Sequence, residues 1–287
     1  MLRTKRLLCA VFSAAFVQPH KKEKAEVMKK LILTFAGACL LLAPVGCVDQ
    51  VNLSNLGEAA VNLHAAASVN DDELKAMCVQ MREKGDAEAT VASANNKYAV
   101  RLKKIMGNHT SVNGTPLNYK VYITDDINAN ASADGSVRVY SGLMDLMTDD
   151  ELRFVLGHEI GHVALGHTLK AMRLAYTAAA ARQAAGSLNS KANALSDSML
   201  GDLMEEFLNA QFSQSQELEA DAYAMNFLKE NNYNTAAAAS SLRKLDELGS
   251  SGGFLSSHPN SGKRAEKMEE MAKQNYFPQN PSIRADA

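Results

Sequence analysis

Residues 148–167 read TDDELRFVLGHEIGHVALGH, and this stretch limits the possible folds more tightly than any other. Thr148 with Glu151 three positions later is a capping-box signature, and the acidic residues between them suit a helix N-terminus. Leu152, Val155 and Leu156 then supply an apolar face. On such a helix His158 and His162 are four apart, so their rings stand on one face a turn apart. Two imidazoles at that spacing can take adjacent corners of a tetrahedral zinc site. Glu159 lies about a hundred degrees round from His158, beside the metal rather than on it, where a carboxylate can serve as base for an attacking water. A chain built round this segment must bury it and must bring a third ligand from elsewhere.

Two candidates present themselves. On a continued helix His167 points about 140° away from His162. The pattern that would recruit a third histidine here needs glycine at 165 and histidine at 168, where the chain has Leu165 and Thr168. His167 therefore reads as a structural or helix-packing residue. In QSQELEADAYAM (214–225), Glu217 and Asp221 share a helix face, whereas Glu219 points roughly the opposite way. Leu218, Ala220, Ala222, Met225 and Phe227 mark that helix as buried, and an acidic pair entering a buried stretch calls for a cation. Glu217 is read as the third ligand, and Asp221 as the carboxylate that orients a ligand histidine.

Around these segments the patterning is mostly helical. Asn70 and the acidic run after it open a helix over about 71–84, with Cys78 on its apolar side as a buried structural thiol. Further helices are expected at about 92–107, 148–184, 194–230, 235–248 and 261–274. LNYKVYIT (117–124) and SVRVYSG (136–142) alternate apolar and polar residues, as strands do. Joined by a polar loop, they predict a small antiparallel sheet in a predominantly helical α+β fold.

The N-terminus has a different character. MKKLILTFAGACLLLAPVGC (28–47) combines a basic start, a short apolar run and small residues before a cysteine. This is the layout of a secretory signal, and the apolar run is short for a bilayer span. The cysteine after Gly46 makes it similar to a bacterial lipoprotein signal, with Cys47 as the lipidated first residue of the mature chain. Residues 1–27 then read as a superfluous extension before a start at Met28, 28–46 as the signal peptide and 47–69 as a tether. The folded domain occupies 70–275, followed by a flexible tail at 276–287. Without residues 1–46 the chain keeps 22 basic and 30 acidic residues, a net charge of −8. That excess argues against nucleic-acid binding and against a polybasic grip on anionic lipid, so membrane attachment is expected through the lipid anchor.

HEIGH with ELEAD some fifty-five residues later, together with VRVYSGLMDLMTDDEL and SSHPNSGKRAEKM, resembles the gluzincin metallopeptidases of the HtpX and CAAX prenyl protease group. Within that group the chain is similar to the soluble bacterial lipoprotein branch of LoiP type. The resemblance implies a zincin core, one Zn²⁺ per chain held by His158, His162 and Glu217, Glu159 as general base and Asp221 in support. It places His258 over the metal to steady the oxyanion, and it matches Arg264 to an arginine of less defined role. His258 also reads as a loop or capping histidine, or as a residue that closes the fourth metal position in a resting form. The resemblance further implies that the strand with Val137, Val139 and Ser141 is an edge on which extended peptides pair. It points to a zinc endopeptidase acting on unfolded or misassembled envelope proteins. Val48 after the lipidated cysteine favours the periplasmic face of the outer membrane, where the envelope assembly machinery is a further expected partner. The alternatives are a zinc-bound chaperone that grips extended chains without cutting them, and a purely structural zinc domain.

Overall fold

The segment TDDELRFVLGHEIGHVA forms a helix because its cap works as its sequence indicates. The Thr148 hydroxyl accepts from the Glu151 amide and the Glu151 carboxylate accepts from the Thr148 amide. The computed structural model of the chain describes residues 68–186, 197–249 and 253–274, all within one compact unit. The signal peptide, Cys47, most of the tether and the C-terminal tail lie outside these residues.

In chain order the elements are α1 Asp71–Glu88, α2 Lys97–Met106, β1 Ser111–Val112, β2 Thr115–Pro116, β3 Asn118–Tyr122, β4 Ala129–Ala131 and β5 Ser136–Tyr140. They continue with α3 Ser141–Leu146, α4 Asp149–Ala164, α5 His167–Gly186, α6 Asp197–Asn209, α7 Gln214–Glu230, α8 Ala237–Glu247, α9 Phe254–Ser257 and α10 Ser261–Gln274. The fold is predominantly helical with small sheets, as expected, but two long helical stretches are divided. Gly166 takes a positive φ of 74° and separates α4 from α5. Ser213 caps α7 through a box with Gln216, which ends the continuity expected across 194–230. Asn113 and Gly114, both at positive φ, close the β1–β2 hairpin.

The sheet differs from the expected antiparallel pair. β3 and β5 run parallel, with Asn118 opposite Ser136 and Tyr122 opposite Tyr140. The antiparallel member is β4, whose Ala129 and Ala131 face Val139 and Val137 of β5. The polar loop between the two legible strands thus contains a third strand that doubles back along β5, leaving β3 to join on the other side. One face of the sheet, with Val121, Val137, Val139, Ala129 and Ala131, packs into the core that α4, α7, α8 and α10 share. A second apolar cluster joins α1, α5 and α6 through Leu74, Cys78, Met81, Met172, Leu203 and Phe207. Cys78 lies in it as a free buried thiol, pushed up to about 12 chiefly by burial.

On the opposite face of the sheet Asp86 of α1 ties helix to strands. Its oxygens accept from Arg138 Nε at 2.7 Å, Lys120 Nζ at 2.7 Å and the Tyr122 hydroxyl at 2.7 Å. Burial opposes ionisation, but these donors outweigh it and hold the carboxyl at about 2. Because the folded value is depressed, this contribution is complete above the unfolded value near 3.9 and is lost as pH falls through about 2. It amounts to on the order of 2 kcal/mol. Chemical denaturation at pH 6 and pH 2 should show a fall in stability that is smaller by about that amount in Asp86→Asn. Equal falls in the two proteins would remove Asp86 from the acid response.

Helices α4 and α7 pack closely against each other. A Cβ on Gly157 would meet the Phe227 ring at 3.0 Å, and one on Gly161 would meet Tyr223 Cβ at 3.1 Å and the Ala220 carbonyl at 3.2 Å. Glycine at both positions lets the α7 backbone approach next to His158 and His162, and this approach sets the reach of the α7 carboxylates.

Candidate metal centre

Four side chains from three parts of the chain converge on one point. α4 delivers His158 and His162, α7 delivers Glu217, and the turn after α9 delivers His258. His158 Nε2 lies 3.0 Å from His162 Nε2 and 3.2 Å from His258 Nδ1. Glu217 Oε1 is 3.0 Å from His258 Nδ1 and 3.3 Å from His162 Nε2. All four are at most 2% exposed. Ligand atoms about 2.1 Å from a tetrahedral zinc stand roughly 3.4 Å apart, close to the spacings here. The chemistry fits as well. Two buried imidazoles turn their Nε2 atoms toward each other while their Nδ1 atoms are engaged elsewhere, and the buried Glu217 carboxylate meets them at the same point. A cation resolves this convergence of lone pairs and buried negative charge.

The supporting residues are distinct for each ligand. His158 Nδ1 meets Asp221 Oδ1 at 2.9 Å. Arg264 of α10 grips Asp221 with two hydrogen bonds, of 2.7 Å to Oδ2 and 2.6 Å to Oδ1. Its third nitrogen, Nη1, lies 2.5 Å from Glu217 Oε2. The arginine of undefined role is thus the buried countercharge to both α7 carboxylates. Phe212, just before α7, stacks on the His162 ring with centroids 3.8 Å apart and also stacks on His258.

Glu159 stands at the rim of the cluster. Its Oε2 accepts the Ala131 amide of β4 at 3.1 Å, and Oε1 lies 3.3 Å from His258 Nε2. Burial raises its proton affinity above that of an ordinary carboxyl, against the lowering pull of His258 and His158. For Glu217 burial acts in the same direction, but the charges of His258 and His158 and the bonds from His162 and His258 outweigh it. Its carboxyl is held far below the usual range. The two neighbouring carboxyls are thus shifted in opposite directions, Glu217 down and Glu159 up.

The structure brings His158, Glu159, His162, Glu217, Asp221, His258 and Arg264 together. It does not bring the β5 residues to an open edge. β5 is the central strand with both neighbours in place, Val137 and Val139 are fully buried, and Ser141 Oγ is bonded to the Thr124 backbone at 2.7 Å and 2.9 Å. The expectation that Val137, Val139 and Ser141 receive an extended peptide is corrected on this ground. The sheet edge next to the cluster is β4. Ala129–Ala131 went unread as a strand because three residues rich in alanine and asparagine carry little alternation. Phe212 and Ala131 were also missed, since stacking and an amide contact leave no motif.

Comparison with known proteins agrees with this architecture. A model of peptidase family M48 matches residues 93–272. Metalloprotease LoiP of Escherichia coli (strain K12) is 40% identical over 248 residues, covering 85% of this chain and 96% of that protein. Metalloprotease YcaL of the same organism is 41% identical over 246 residues, covering 84% and 96%. A mitochondrial metalloendopeptidase OMA1 from Bos taurus is 28% identical over 178 residues, covering 55% of this chain and 33% of its own length.

Proposed function

Because the chain belongs to peptidase family M48 and is a zinc-dependent metalloendopeptidase, we propose that it cuts extended segments of unfolded or misassembled proteins at the periplasmic face of a bacterial outer membrane, where Cys47 anchors it. The observation that carries the substrate reading is the contact between Ala131 and Glu159. It sets β4, the last strand of the sheet, alongside Glu159, so that a peptide taking over the Ala129 and Ala131 amides, now bonded to Asn128 Oδ1 and Glu159 Oε2, would pass the metal cluster. The site residues are almost wholly buried, which favours a flexible chain over a folded loop as the species that gains entry. The signal-like segment ending at Cys47 supports the envelope setting.

His158, His162 and Glu217 would hold the zinc, with His158 bonded to Asp221 and Glu217 paired with Arg264. Zinc bound there supplies Lewis-acid polarisation of the scissile carbonyl and acidifies water. Glu159 takes the proton from the attacking water and returns it to the leaving amine, a role its raised proton affinity suits. His258 lies within ligand distance of the cluster, and its ring, beside Glu159, is placed to donate to the developing oxyanion.

One cellular experiment tests the setting and the substrate class together. The full chain should incorporate labelled palmitate, fractionate with the outer membrane and clear a misfolded envelope reporter, and Cys47→Ser should do none of these. A chain that takes no label, or that spares the misfolded reporter while degrading its folded form, overturns the proposal.

A further inference from the structure

α4 ends at Ala164, and the positive φ of Gly166 turns the chain so that α5 begins at His167. On an unbroken helix His167 would face about 140° away from His162. After the turn its Nδ1 lies 3.0 Å from His162 Nδ1, the ring nitrogen left over once Nε2 faces the metal cluster. On its other side His167 Nε2 lies 3.2 Å from Glu219 Oε2. His167 is 7% exposed, whereas the Glu219 side chain is 57% exposed. Glu219 is the α7 residue midway between Glu217 and Asp221, so one helix supplies a ligand and the outer end of each histidine's support.

Two facing Nδ1 atoms at this distance form a hydrogen bond only if one carries the proton and the other does not. The Glu219 carboxylate only accepts, so it selects the His167 tautomer protonated at Nε2, whose Nδ1 is a bare acceptor. His162 then carries its proton on Nδ1 and presents an unprotonated Nε2 to the metal. We propose that His167 and Glu219 are positioning residues of the zinc site, a carboxylate–imidazole chain that fixes the orientation and tautomer of His162. This rests on the zinc-site reading above. It also makes the two ligand histidines unequal. Asp221 holds His158 directly from the interior, while a carboxylate at the surface holds His162 through a second ring.

The test uses the full chain and two readouts besides turnover: zinc affinity by competition with a chromophoric chelator, and the visible absorption of the cobalt-substituted protein. Polar partners of metal ligands typically contribute about 10- to 100-fold in metal affinity. His167→Phe, which keeps a ring and loses the acceptor, should weaken zinc binding by an amount in that range and alter the cobalt bands. Glu219→Ala should weaken it about tenfold, and Glu219→Gln, whose amide oxygen still accepts, should stay within about twofold of the wild type. With zinc saturating, kcat should fall in His167→Phe and KM should not. If His167→Phe does not fold, the exposed Glu219 pair decides. Wild-type affinity and spectrum in Glu219→Ala overturn the relay alone. A wild-type chain that holds no zinc overturns the metal site and the relay with it.

Discussion

Glu159→Gln is expected to bind zinc as the wild type does and to lose peptide hydrolysis by about a thousandfold, within the range that a positioned general base contributes. The substitution is nearly isosteric. A glutamine oxygen can still accept the Ala131 amide that now meets Glu159 Oε2, so the carboxamide should keep its place beside β4. It cannot take a proton from water. Zinc content by elemental analysis and cleavage of an unfolded protein such as casein measure the two effects separately. Cleavage within about tenfold of the wild type would remove Glu159 from the reaction. The same variant also distinguishes cutting from gripping. A zinc-bound chaperone would lose nothing with it, whereas a peptidase should hold its substrates uncut.

The second large effect is expected at Arg264. This side chain is 4% exposed, makes two hydrogen bonds to Asp221 and approaches Glu217. Arg264→Met leaves two buried carboxylates without their countercharge, and breaking a buried pair in this way costs about 3–5 kcal/mol. The loss should be largest in the metal-free protein, since a bound cation returns positive charge to the same carboxylates and binds only the folded state. Chemical denaturation with and without zinc should therefore show a variant much weaker than the wild type when metal-free, with the gap reduced by zinc. An equal gap under both conditions would mean that Arg264 acts by packing alone.

What could be read from the sequence divides by range. α4 announced itself through Thr148, Glu151 and the two histidines four apart, because capping and helical period are local. Glu217 and Asp221 were legible because an acidic pair inside a buried helix needs a reason. The strand β4 was not, since Ala129–Ala131 is too short to alternate and its pairing with β5 is decided by the tertiary fold. The expectation of an antiparallel pair followed from the same omission: two strands with a plain loop between them suggest a hairpin, whereas the hidden third strand lets β3 and β5 run parallel. The contact between His167 and Glu219 was hidden for a narrower reason. Both were placed by helical angle, but Gly166 ends the helix between His162 and His167, and a long glutamate side chain on the far face can still reach the imidazole of the next helix. Leu165-Gly166 carried the C-terminal signal, and Ser213 with Gln216 carried the N-terminal one.

The contact at Gly157 and Gly161 works as a gauge for the ion. With α7 lying directly on α4, the distance from Glu217 to the two imidazoles has no slack. Calcium needs bonds of about 2.3–2.6 Å and six or more oxygen donors. Accepting it would mean prising apart two closely packed helices, in a cage that offers three imidazoles and one carboxylate. Selectivity for a small, nitrogen-seeking cation is thus built into the backbone spacing, and exchanging ligands alone would not readily retune it.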